Sequence, residues 1–263
     1  MTDPFAPMKA AAAVGWGGFA PLEVVTMRPA ARLVRFAGVK PGDRVLDACC
    51  GTGVVAVSAA RAGAQVTGLD LAPALLEHAR WNAQVAGVAV DLHEGDVEAL
   101  PFPDASFDVV LSQFGHIFAP RPDVAIGELL RVLRPGGTIA FSTWPPDEVV
   151  GQMFDLNARY LPPPPGAGRV AAWGDPEVIR ARLGDAVSDL TFELGESFLA
   201  ALSPAHYRQR IESTGPAGSI VDRLDAATLA GWRAELEALI GPHIEDNMLR
   251  QVYRSARATK RPT

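Results

Sequence analysis

Cysteine is nearly missing from this chain: two of its 263 residues are cysteine, Cys49 and Cys50, and they are neighbours. Adjacent thiols cannot staple distant segments, so no disulfide framework is expected, and a reducing, cytoplasmic setting fits. No further cysteine exists to complete a thiolate metal site, and no metal is expected; the pair reads as two small apolar side chains in a turn. Long apolar runs are missing too. No stretch approaches the roughly 18 residues of a membrane-spanning helix, so membrane insertion is not expected. The opening "MTDPFAPMKAAAAVGWGGFAP" has a weak apolar stretch with an acid ahead of it and does not read as a signal peptide. Positive charge is not in excess. With 24 Lys and Arg against 30 Asp and Glu the net charge is -6, which argues against nucleic acid as a partner. The basic stretch "RQVYRSARATKRPT" reads as a solvated end. No internal repeat is found.

What is present is an ordinary globular balance, 48% hydrophobic and 21% charged, in a length that suits one α/β domain with insertions or two small domains. From about residue 43, apolar strands alternate with helical segments. "RVLDAC", "QVTGLD", "VAVDLHEGD", "SFDVVLSQF" and "TIAFSTW" read as five strands. Residues 54–62, "PALLEHARWNAQVAG" and "DVAIGELLRVL" read as the helices between them, the last stopped by Pro135, Gly136 and Gly137. Such alternation implies a doubly wound, mostly parallel sheet. The pattern breaks near residue 144, where a proline-rich segment too long for an ordinary connection begins. Leu190, Phe192 and Leu194 then alternate as a strand would. A helical stretch places Leu229, Trp232, Leu236 and Leu239 on one face, and "NMLRQVYRSARA" reads as a closing strand. The expected organisation is a helical lead-in or lid over 1–42, an α/β core over 43–144, an inserted lid with a late strand over 145–245, and a closing strand with a basic tail over 246–263.

In a doubly wound sheet, ligands bind at the carboxyl ends of the strands. The turn "DACCGTG" after the first strand lets a ligand approach the backbone, and the next helix offers free N–H groups. Asp70, after the second strand, suits the two hydroxyls of a ribose. "GTGVVA" at 51–56 also fits the dinucleotide pattern G-x-G-x-x-G/A, so an NAD-dependent oxidoreductase competes. Three features oppose it. Asp47 would repel a pyrophosphate but suits a cationic amino-acid end. Asp96 follows the third strand, where an adenine amino group needs an acceptor. No Tyr-x-x-x-Lys pair exists, since Tyr160, Tyr207 and Tyr253 are followed at that spacing by Pro164, Ile211 and Arg257. A ribose, an adenine and a charged amino-acid end without phosphate describe S-adenosylmethionine.

"VLDACCGTG", "VTGLDLAPALLEHAR", "GDVEALPFPDASFDVVLSQF" and "ELLRVLRPGG" resemble the ordered motifs of class I S-adenosylmethionine-dependent methyltransferases. The likeness is strongest to the group that includes the ubiquinone/menaquinone-biosynthesis enzymes, and it covers about residues 40–145. "FSTWPPDEVVGQMF" and "YLPPPPGAGRVAAWGDPEVIRARLG" also resemble a set of bacterial members. The resemblance implies the family's Rossmann-like sheet with helical lid insertions, S-adenosylmethionine as cofactor and a small-molecule methyl acceptor, and it carries no oligomeric state. It assigns Asp47, Gly51 and Gly53 to the methionine end, with Cys49 where the family usually has its first glycine. Asp70 is the ribose acid and Leu71 its apolar neighbour on the adenine. Asp96 and Val97 read the adenine edge, and Gln113 lies beside the methyl group.

Methyl transfer needs a general base only where the acceptor arrives protonated. His116, just past the fourth strand, is the expected candidate, its alternative being a packed or capping histidine. His78 is expected at the surface, and His206 and Tyr207 are candidates to face the acceptor. Trp16, Phe19, Trp144, Phe154 and Trp173 are candidates to line an apolar acceptor pocket. A non-catalytic cofactor-binding module on the same fold is the third class of function, because fold alone does not fix activity.

Overall fold

The computed structural model describes residues 3–214 and 217–262, with no account of the Ser219 side chain. Its centre is an 8-stranded sheet in the order β3-β2-β1-β4-β5-β8-β6, with β7 paired to β8. Strands β1 (Arg44–Ala48), β2 (Gln65–Asp70), β3 (Asp91–Glu94), β4 (Phe107–Gln113) and β5 (Leu133–Thr143) are mutually parallel. Strand β8 (Met248–Lys260) enters antiparallel between β5 and β6 (Val187–Ala200), and the two-residue β7 (Ile244–Glu245) forms its hairpin partner. The strand order reverses between β1 and β4, which opens a crevice at their carboxyl ends.

The strands read as near-continuous apolar runs because both faces are covered. Val45, Val109 and Ala140 point to one side, where they meet Ala30, Leu33 and Val34 of α2 (Val24–Ala37) and Val55, Ala56 and Ala59 of α3 (Val54–Arg61). Their neighbours Leu46, Val110 and Ile139 point to the other side and pack with Ala125, Ile126 and Leu129 of α5 (Pro122–Val132). Helix α4 (Pro73–Ala86), started by Pro73, joins β2 to β3.

The lead-in divides in two. Helix α2 belongs to the layer beneath the sheet, whereas α1 (Ala6–Trp16) and the 3-10 turn after it lie over the crevice. Past β5, α6 (Val149–Tyr160) and α7 (Pro176–Leu183) precede β6. Helices α8 (Pro204–Glu212), α9 (Gly218–Arg223) and α10 (Ala226–Ile240) connect β6 to β7. Ser203 and Asp225 cap α8 and α10 through their side-chain oxygens. Trp232, Leu236 and Ile240 form the buried stripe of α10, and the Trp232 indole donates to Asn157 Oδ1 at 2.9 Å, tying α10 to α6.

One boundary differs from the sequence reading. Helix α5 stops at Val132, and Pro135, Gly136 and Gly137 lie inside β5. The register jumps from Phe107 opposite Leu133 to Val109 opposite Thr138, so the prolyl-glycyl segment is a bulge. The helix end is held from elsewhere in the chain: Lys260 Nζ donates to the carbonyls of Leu130 and Leu133, both at 2.7 Å. No single helix among the described residues is long and apolar enough to cross a membrane.

Candidate functional site

A cavity of about 340 Å³ opens at the carboxyl ends of β1, β2 and β4 and runs on beneath α1, α6 and α8. Asp47, Cys49, Gly51, Asp70, Leu71, Asp96, Val97 and Gln113 all line it, so the ends of β1, β2 and β4 and the turn just past β3 bring eight of the expected residues together.

The turn after β1 takes a left-handed backbone at three residues, Cys49, Gly51 and Gly53, before α3 begins. Gly51 has φ 54 and faces open space on the side where a Cβ would stand. Cys49 also takes a left-handed φ of 58, unusual for a residue with a side chain. Gly115 resolves the crowding, since a Cβ there would stand 2.3 Å from the Cys49 Cβ. Gly53 is placed otherwise than expected. It lies outside the cavity wall, and a Cβ on it would meet the Ala79 Cβ at 2.9 Å, so its part is the close packing of the turn on α4.

Asp47 is 1% exposed; its Oδ2 accepts from the Ala56 amide at 2.9 Å, and its Oδ1 has no partner. Burial pushes this carboxyl up to about 8. Asp70 accepts from the Gly51 amide at 2.7 Å and the Ala72 amide at 2.9 Å, one on each oxygen. Burial raises its pKa, against those two backbone bonds. The Gln113 amide donates to the Thr26 carbonyl at 2.9 Å, while its Oε1 is buried without a partner. Two unpaired buried oxygens therefore border the cavity beside an open glycine turn. Burial also raises both cysteine thiols, which keeps them neutral.

Asp96 is held by a residue the sequence did not single out. Lys9 of α1 reaches Asp96 at 2.6 Å and Asp3 at 2.7 Å and also pairs with the buried Glu98. Arg121 adds a 2.8 Å bond to Glu98. Asp3, Asp96 and Glu98 would pass for a cation site, but the Lys9 ammonium bonds to all three. A lone lysine before an alanine run offers no signal of this role.

His116 stands apart from the cavity, and the expectation that it accepts a proton from the acceptor is corrected. Its side chain is fully buried, edge-on to Phe141 and Trp173 at 4.8 and 4.7 Å, and does not line the cavity. Nδ1 lies 3.1 Å from the Ser112 hydroxyl, and Nε2 has no partner. Burial, helped by Arg182, pushes its pKa down to about 3. The Arg182 guanidinium caps the other side of this cluster, 4.3 Å over the Trp173 ring. Trp173 is thus core and not pocket wall.

Trp16, Phe19, Trp144 and Phe154 do line the cavity. Trp16 meets Phe118 at 4.7 Å, and Phe118 meets Phe154 at 5.5 Å, so an aromatic row joins α1 to α6 across the opening. Tyr207 lines it as well, whereas His206 receives the Leu202 amide at 3.0 Å outside it and His78 is exposed. Asn157 and Gln251 line the cavity and were missed in the sequence. For Gln251 a signal existed: it shares one strand face with Leu249 and Tyr253, an amide in an apolar series.

A family model described as a methyltransferase domain matches residues 45–137. A demethylmenaquinone methyltransferase of Thermus thermophilus is 34% identical over 193 residues, covering 65% of this chain and 86% of the relative. The chain belongs to the S-adenosylmethionine-dependent methyltransferases. An uncharacterized protein of Mycobacterium tuberculosis is 41% identical over 164 residues, which is 62% of this chain and 60% of that one. The chain thus matches about 60% of the length of such mycobacterial relatives. A putative methyltransferase of Bacillus halodurans has the same fold, with a TM-score of 0.61 at 18% identity over 89% of this chain and 100% of the other. The two unpaired oxygens and the open glycine turn fit S-adenosylmethionine, the cofactor of this family.

Proposed function

We propose that this protein transfers a methyl group from S-adenosylmethionine to a small-molecule acceptor bound under α1, α6 and α8. The observation that carries the reading is one cavity that joins three carboxylates at successive strand ends to an apolar chamber. The cofactor supplies a methyl group on a sulfonium that is already a good leaving group. In this reading Asp47 Oδ1 takes the ammonium of the methionine end, and Gly51 and Cys49 carry the backbone beside it. Asp70 keeps further lone pairs for the ribose hydroxyls. Leu71 packs on the adenine, Asp96 and Val97 face its edge, and Gln113 borders the sulfur. The aromatic row from Trp16 to Phe154 excludes water while the acceptor is held in line with the methyl. The neighbouring free thiols and the acidic net charge support work in a reducing cytoplasm on a ligand that is not nucleic acid.

Calorimetry with S-adenosylmethionine, S-adenosylhomocysteine and NAD tests the first half. Binding of the two sulfur ligands and not of NAD is expected. Tight NAD binding with no response to the other two would overturn the reading. Transfer of label from methyl-tritiated S-adenosylmethionine across an acceptor panel tests the second half. Cofactor binding with no transfer to any acceptor would favour a non-catalytic module.

A further inference from the structure

The far part of the cavity is chemically unlike the part beside Asp47 and Asp70. Phe114 and Trp144 stack there with ring centroids 4.1 Å apart, and Met153, Phe154 and Leu199 continue the apolar wall. Among the described residues of that wall none carries a charge. The acids of the cavity stand at the ends of β1 and β2 and just beyond β3, and the Lys9 ammonium is bound to Asp3, Asp96 and Glu98. An ion entering the chamber would lose its water and find no counter-charge.

A few polar groups do converge there. The Tyr207 hydroxyl accepts from Gln251 Nε2 at 3.2 Å, and Gln251 Oε1 accepts from the Ser197 hydroxyl at 3.3 Å. Among the described residues, the Tyr207 proton is directed only at Met153 Sδ, 3.7 Å away. A thioether is a weak acceptor, so a buried O–H donor is held in place with its best bond unmade. Burial pushes the Tyr207 phenol well above its usual value, so it stays a donor at neutral pH. Asn157 adds a second donor, because the Trp232 indole occupies its oxygen and leaves its amide nitrogen for the cavity.

We propose that the chamber selects an uncharged, mainly apolar acceptor carrying a carbonyl or hydroxyl oxygen, and that this oxygen takes the Tyr207 hydrogen bond in place of the Met153 sulfur. The inference rests on the methyl-transfer reading for what the molecule is used for, while the selectivity comes from the chamber itself. Tyr207 is in this account a specificity-determining residue. Gln251 and Ser197 hold its hydroxyl from behind, so that the proton points into the apolar space.

The test uses the full chain and four probes of one shape: naphthalene, 2-acetylnaphthalene, 2-naphthoate and 2-naphthylmethylammonium. Their binding is measured by equilibrium dialysis with and without S-adenosylhomocysteine. The ketone should bind roughly ten-fold or more tighter than either ion. Tyr207→Phe should weaken ketone binding by roughly three- to ten-fold and leave naphthalene unchanged. Met153→Leu removes the competing sulfur without touching the tyrosine and should strengthen ketone binding relative to naphthalene. An ion that binds as tightly as the ketone would overturn the proposal, and so would a Tyr207→Phe loss equal for ketone and hydrocarbon. Should Tyr207→Phe fail to fold, an unchanged ketone preference in Met153→Leu would overturn it alone. If the probe order holds while S-adenosylhomocysteine does not bind, the methyl-transfer reading fails and the chamber chemistry stands. S-adenosylhomocysteine binding with the probe order reversed sinks the chamber chemistry alone.

Discussion

Asp70 has both carboxylate oxygens tied to backbone amides, so it serves the turn and the proposed ribose contact at once. Hydrogen bonds to a charged group contribute roughly 1.5–3 kcal/mol each. Asp70→Ala should therefore weaken S-adenosylmethionine binding by about 10- to 100-fold in calorimetry, with a smaller loss in Asp70→Asn. Cys49 and Gly115 form a second coupled pair. Gly115→Ala drives a methyl group into the Cys49 Cβ and should cost about 1–3 kcal/mol in a denaturant melt. In a Cys49→Gly background the same change should cost less, because the strained Cβ is gone. Part of the clash, with the Cys49 carbonyl at 2.9 Å, remains. Additive losses in that double-mutant cycle would show that the two positions do not share the space.

Helix α1 makes the roof of the cavity, and an ion-pair network fastens it. Lys9 pulls it onto Asp96 and Glu98, and Arg121 closes the same network from the start of α5. Apolar contacts add to it, among them Phe5, buried in the interior, and Trp16 against Phe19 and Phe118. Lys9→Met keeps the length of the stem and removes the ammonium, so α1 should open more often than the sheet-packed α2. Limited proteolysis should then cleave within residues 6–22 several-fold faster than in the parent, with cleavage in α2 unchanged. Equal rates in the two proteins would mean that apolar contacts alone hold the roof.

Across the whole molecule, two buried groups titrate with opposite sense. The folded protein keeps a proton on Asp47 up to about pH 8, whereas the unfolded chain releases it near pH 4. Stability contributed by this site therefore falls as pH rises between those values and levels off above them. His116 refuses a proton until about pH 3 when folded, whereas the unfolded chain takes one near 6.5. Its contribution falls as pH drops through that window. The two slopes oppose each other between about pH 4 and 6.5, so the cofactor-free protein should lose stability from about pH 6.5 toward 8. Asp108, held well below the usual carboxylate range chiefly by Arg44, steepens the fall on the acid side. Thermal melts against pH check this, and Asp47→Asn should flatten the upper limb. Because a cationic ligand end favours the ionised Asp47, cofactor affinity should climb over the same interval.

Much of this was legible along the chain. Strand–helix alternation through residue 144 specifies a parallel sheet, because apolar runs and amphipathic helices have only one compact way to cover each other. The acids Asp47, Asp70 and Asp96 could be placed at the cavity because each lies at or just past a strand end, and strand ends share one edge of the sheet. Local sequence carries that information since neighbours along the chain set the turn. Tertiary structure alone decided the rest. His116 follows a strand end as Gln113 does, yet its ring turns into Phe141 and Trp173, contacts made with residues 25 and 57 positions away that no local pattern records. Lys9, Tyr207 and Gln251 meet the site from α1, α8 and an antiparallel strand inserted out of order. Which side chain closes a cavity depends on where distant elements dock, and docking is settled by complementary shape and charge across the whole fold.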